Sequence, residues 1–187
     1  MISILIIIIY IFFINNKTDL ILFENNGNKV LVRDTHNSVD SAILLGELIN
    51  RLYILRNYLV NNKNQFPEYN EYLDLLETNF TKSRTSIYEN SHDSNFTSYS
   101  VNKGEEIVFC LRCKETNKLH SINLLVYVAV HEMAHTACPE IGHPPLFNKI
   151  FKFLLEQAVQ LDLYIPDDYS SNPVQYCGMR LYTNVLF

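Results

Sequence analysis

The chain has 187 residues, is 48% hydrophobic and 19% charged, and carries a formal net charge of −5. With five Gly, six Pro and four Cys, it is not a collagen, a disulfide knot or a wholly disordered tail, and one globular domain with a sizeable core is expected. The acidic balance argues against a general nucleic-acid binder, which needs a basic face to displace counterions from phosphates, so no direct nucleic-acid binding is expected.

The first fourteen residues, MISILIIIIYIFFI, include thirteen apolar ones. As a helix they would reach roughly 21 Å, short of the roughly 30 Å hydrocarbon core of a bilayer. A cleavable signal would show a basic start and a small-residue cleavage site, but this segment runs into Asn15, Asn16 and Lys17. Residues 1–16 are therefore read as an uncleaved signal anchor, making a single-pass membrane protein associated with the bilayer through that segment, with residues 17–187 as the folded domain. An Ile-rich element buried in the fold is the alternative.

LILF and KVLVR flank the turn-like ENNGN and read as a hairpin with Gly27 at positive φ. From Ser38, apolar residues at helical spacing (Ile43, Leu44, Leu48, Leu52, Leu55, Leu59) predict a long amphipathic helix that Asn61, Asn62 and Lys63 end. A shorter helix follows over Asn70 to Thr78. The polar stretch 82–96 reads as a surface loop with a small strand at Ser86 to Glu89. TSYSVNKGEEIVFCLR reads as a second hairpin turning at Asn102, Lys103 and Gly104. A helix that is apolar almost all round begins near Ser121 and must be central to the fold. A final amphipathic helix runs from Pro144 to about Asp162, and the tail after Pro166 reads as irregular. Cys110 and Cys113 form a CxxC with no second one, so a zinc ribbon is not expected, and the four cysteines read as buried free thiols.

The chemistry lies in VAVHEMAHTACPEIGHPPLF. His131 and His135 are four residues apart on the central helix, so both imidazoles can reach one metal from one face. Glu132 lies beside them, placed to accept a proton from a metal-bound water. Catalytic zinc takes three protein ligands and keeps one open position. His143 is the best third ligand: it follows a reversal marked by Pro139 and Gly142 and precedes Pro144, which biases it to extended geometry at the mouth of the last helix. Glu140 and Cys138 compete for that place. His36, His92 and His120 read as ordinary satisfied histidines.

NKGEEIVFCLR, LLVYVAVHEMAH and GHPPLF together resemble the zinc metallopeptidases of the WLM and SprT-like group, especially small forms with an N-terminal hydrophobic segment in large DNA viruses and protists. The resemblance covers roughly residues 85 to 180, with His143, Pro145 and Phe147 on the group's downstream pattern. It implies an α+β, zincin-like fold in which a small antiparallel or mixed sheet packs against the HExxH helix, flanked by an N-terminal long helix and a C-terminal helix. It also implies a zinc cofactor on His131, His135 and His143, Glu132 as general base and acid, and a protein or peptide substrate whose backbone pairs with an edge strand in the 98–111 hairpin. Group members that act on proteins crosslinked to DNA carry extra DNA- or partner-binding segments. No basic patch or zinc finger stands in this sequence, so that role is not expected.

A second donor to the oxyanion is expected in such a site. Tyr176 in NPVQYCG is the candidate, with Tyr169 behind it. Two other readings stand beside the peptidase: a deformylase-type metal amide hydrolase using Cys110 or Cys113 as third ligand, and a non-enzymatic membrane-anchored scaffold with zinc as a staple.

Overall fold

The computed structural model of the chain describes residues 19–25 and 28–187; residues 1–16 and the Asn26–Gly27 turn lie outside the described residues. The first hairpin forms as its alternation requires: β1 (Leu20–Asn25) and β2 (Asn28–Arg33) pair antiparallel, with Val30 and Val32 buried and Leu22 outward. A chain that must next run parallel to β2 needs a long crossover. Two helices supply it, α1 (Ser38–Asn61) and α2 (Asn70–Asn79), joined by short 3-10 turns at Lys63–Gln65 and Pro67–Tyr69. β3 (Ser86–Glu89) then pairs parallel with both β2 and β5 (Glu106–Phe109), and β4 (Tyr99–Val101) pairs antiparallel on the outside of β5. The sheet order is β1-β2-β3-β5-β4, which leaves β4 at an edge.

α3 (Ile122–Ala137) is the centre of the molecule. Its start is fixed by Ser121, whose Oγ accepts the Leu124 N–H at 3.3 Å. Leu124 to Val130 are all buried, and α3 touches α1, α2, α4 (Pro145–Gln160) and the edge strand β4. The protein is thus α+β, with four α-helices around a mixed five-stranded sheet among the described residues.

Several expectations are corrected. The apolar stripe of α1 is rotated from the expected one: Ala42, Leu45 and Ile49 join Leu48, Leu52, Leu55 and Leu59 inside, while Ile43 is exposed. Ser38 is the first helical residue rather than the cap. Residues 82–96 are more than a surface loop, because β3 lies mid-sheet and ends in the fully buried Glu89. That carboxylate is affordable only because it is paired. Arg112 Nε donates to it at 2.9 Å and the Arg33 N–H at 2.8 Å, and the Arg112 guanidinium also donates to Asn37 Oδ1 and Ser41 Oγ on the α1 side. Burial pulls the Arg33 guanidinium below its ordinary pKa, against the opposing charge of Glu89.

The tail is not wholly irregular either. β6 (Val174–Tyr176) and β7 (Met179–Leu181) form a hairpin whose turn residues Cys177 and Gly178 have φ of 50° and 82°. Three-residue strands carry too little periodicity to be seen in sequence. A Cys110–Cys177 disulfide with Cα atoms 6.2 Å apart fastens this hairpin to the end of β5, replacing the expected pair of free thiols, while Cys113 and Cys138 are free.

The single-pass signal anchor is also corrected. No helix among the described residues is long and apolar enough to cross a membrane. α1 has the length, at 24 residues, but carries Asp40, Glu47, Arg51 and Arg56. α3 has the hydrophobicity, but at 16 residues it spans only about 24 Å, and its apolar surface is consumed by packing.

Candidate metal centre

The last two turns of α3 carry His131 and His135 on one face, and the chain then reverses to bring a third imidazole back. Gly142 makes that reversal at φ 79°, a conformation unfavourable for a side-chain-bearing residue, although nothing stands where a Cβ would lie. Pro144 then caps α4 in extended backbone, with φ −65° and ψ 171°, and its ring biases the preceding His143 away from helical geometry.

The three rings converge. Their centroids are 5.0 Å apart for His131–His135 and 4.9 Å for both other pairs, and the ligand nitrogens all lie within 4.8 Å of one another. His143 Nε2 faces His131 Nε2 at 3.0 Å. Phe147, one turn into α4 and buried, stacks on His135 at 4.3 Å and meets His131 edge-on at 4.9 Å, which fixes the ring planes. Burial, reinforced by the neighbouring imidazoles, lowers the His131 pKa to about 3. Burial first, then His143 and the Lys103 ammonium, lowers His135 to about 4. Both are neutral at physiological pH, as metal ligation requires.

Tetrahedral zinc holds imidazole nitrogens at about 2.0–2.1 Å, hence about 3.3 Å from one another. The His131–His143 pair, at 3.0 Å, is already near that spacing, all three nitrogens lie within 4.8 Å, and three imidazole donors suit zinc or a similar transition metal rather than calcium or magnesium.

Glu132 lines the same cleft as the trio, beside Ser100 of β4. It is 6% exposed, and burial raises its carboxyl to about 7, with the Ser100 hydroxyl of β4 partly offsetting the shift. A group balanced near neutrality can both take and return a proton. The imidazoles and Glu132 open on a cleft of about 590 Å³ whose opposite side is β4, through Tyr99 and Ser100, and whose rim holds Lys103, Glu140 and the exposed Ile141.

Tyr176 does not line this cleft. It is buried behind Glu132, beside His131 in a cavity of about 100 Å³, and its hydroxyl is paired with Ser98 Oγ. Burial, with the Glu132 charge adding to it, raises the phenol well above its usual pKa. Tyr169 is buried against the Tyr127 ring at 5.2 Å. Of the competing ligands, Glu140 stays on the rim and buried Cys138 ends the helix; Cys110 is bound to Cys177, and neither Cys110 nor Cys113 joins the trio. Sequence reading missed Ser98, Ser100 and Lys103. Their only signal was position in the second hairpin.

Fold and site together define an α+β protein with a three-histidine candidate metal centre beside a buried carboxylate. The chain is 38% identical over 184 residues to the uncharacterized protein R325 of Acanthamoeba polyphaga mimivirus, spanning 96% of this chain and 92% of that one, and it belongs to the same family. Shorter likenesses of 69 residues join it to uncharacterized protein 136R of Invertebrate iridescent virus 6, at 39% identity over 36% of this chain and 38% of that one. Uncharacterized protein 042R of Invertebrate iridescent virus 3 is 36% identical over 37% of this chain and 43% of that one. No family model matches. Among solved structures, Wss1 from Saccharomyces cerevisiae superposes on 54% of this chain and 83% of its own, at 21% identity and a TM-score of 0.39.

Proposed function

We propose that the chain is a zinc-dependent metallopeptidase with a zincin-like arrangement, in which His131, His135 and His143 hold the metal and Glu132 is the general base. The observation that carries this reading is the convergence of three imidazole nitrogens within 4.8 Å beside a carboxylate whose pKa is raised to about 7. The motif resemblance to WLM and SprT-like peptidases points the same way. When bound, zinc would supply Lewis-acid polarisation of a water and of the scissile carbonyl.

The chain's own residues account for the rest. Glu132 accepts the proton of the attacking water and later delivers it to the leaving amine. β4, an edge strand with one side unpaired among the described residues, offers backbone groups to an extended peptide along the cleft. Tyr176 is the proposed second donor to the oxyanion, a role that requires its buried hydroxyl to leave Ser98 and turn from behind Glu132 into the cleft. The test is hydrolysis of an unfolded protein substrate by the zinc-loaded protein. Glu132→Gln is expected to keep the metal and lose about 10²–10⁴-fold in rate. Undiminished cleavage by that variant contradicts the assignment.

A further inference from the structure

Lys103 has no part in the chemistry above, yet it is held with unusual care. It lies at the middle of the β4–β5 turn, where Asn102, Lys103 and Gly104 have φ of 48°, 56° and 99°. Left-handed backbone is unfavourable for the two residues that bear a Cβ, so something outside the turn must impose it. Arg84 does so from one side, donating to Asn102 O at 3.0 Å and Lys103 O at 3.4 Å while anchored to Asn79 Oδ1 at 2.7 Å. From the other side Gly104 presses on α3, so closely that an added Cβ would stand 2.7 Å from Thr136 Cγ2.

Docked in this way, Lys103 reaches across to the reversal between α3 and α4. Its Nζ donates to Cys138 O at 2.6 Å and to Glu140 O at 2.7 Å. Cys138 is the residue that ends α3, where carbonyls lack helical partners, and Glu140 stands three residues before His143. An ammonium beside a bound dication is repelled by it, so the position of Lys103 is explained by the loop it holds rather than by stabilisation of charge in the site.

We infer that Lys103 is a positioning residue: by bridging Cys138 O and Glu140 O it fixes the reversal that presents His143, and it couples the edge strand β4 to the metal centre. This rests on the zinc reading of the three histidines. The experiment is zinc affinity by chelator competition on the full chain, for wild type, Lys103→Met and Lys103→Arg, each also in a His143→Ala background. Lys103→Met is expected to weaken zinc binding about 10–100-fold, as loss of supporting contacts does at metal sites, with Lys103→Arg recovering most of it. In the His143→Ala background the same change is expected to have no effect, because no third ligand remains to be placed. Affinity unchanged in Lys103→Met, or an equal loss in both backgrounds, overturns the inference. If Lys103→Met does not fold, Lys103→Gln takes its place under the same criteria. Failure of the wild type to bind zinc overturns the metal centre itself, a result distinct from equal affinities.

Discussion

His131 Nε2 and His143 Nε2 face each other at 3.0 Å, brought together from a helix and from the far side of a chain reversal. Two imidazole nitrogens this close share a proton in the metal-free protein and are near the spacing a shared tetrahedral cation needs. His143→Ala is predicted to lower zinc affinity by more than about 100-fold, beyond the effect of removing a supporting contact. Metal analysis after gel filtration checks it, and full occupancy in the variant would remove His143 from the ligand set.

Glu132 gives the metal-free protein a pH signature. Its folded pKa, about 7, lies above its ordinary 4.5, so its contribution to stability is present below pH 4.5 and is lost as the pH rises through 7. His131 and His135, lowered to about 3 and 4, act oppositely: their contribution is present above pH 6.5 and fades as the pH falls toward those values. Metal-free Glu132→Gln is therefore predicted to match wild type near pH 4.5 and to exceed it by roughly 3 kcal/mol at pH 8. Chemical denaturation at the two pH values checks the sign, and a constant difference across the range would show that burial does not tune this carboxyl.

The Glu89 carboxylate between Arg112 and Arg33 ties β3 to the β2 end and to α1. Glu89→Ala is predicted to cost about 3–5 kcal/mol, because it leaves buried guanidinium unpaired. An unfolding midpoint within error of wild type would contradict the pairing.

The Cys110–Cys177 disulfide closes a loop with a sequence separation of 67. Loop-closure entropy alone makes it worth about 4 kcal/mol. Unfolding with and without dithiothreitol measures this. Cys177→Ser is predicted to abolish the difference and Cys113→Ser to leave it intact, whereas identical midpoints in wild type would show that the two sulfurs are not bonded.

The three-histidine cluster was legible because its geometry is local: four residues of helix align His131 with His135, and Pro144 biases the backbone of His143. The first hairpin, α1 and α3 were legible for the same reason. What escaped depends on pairing between distant segments. Glu89 looked like the end of a minor strand until β3 took the middle of the sheet between Arg33 and Arg112. Ser100 and Lys103 reach the site only because β4 is an edge strand lying along α3, and Tyr176 reaches its place behind Glu132 through a hairpin of three-residue strands tied down by Cys177. The thirteen apolar residues at the start of the sequence raised an expectation of a membrane span that no described helix meets.

X-ray absorption at the zinc edge of the loaded protein distinguishes an open zinc site on the three histidines from a closed one. The predicted result is one zinc per chain with three imidazole nitrogens and one water oxygen at about 2.0–2.1 Å. A fourth protein ligand closing the site, or no zinc retained, would contradict it.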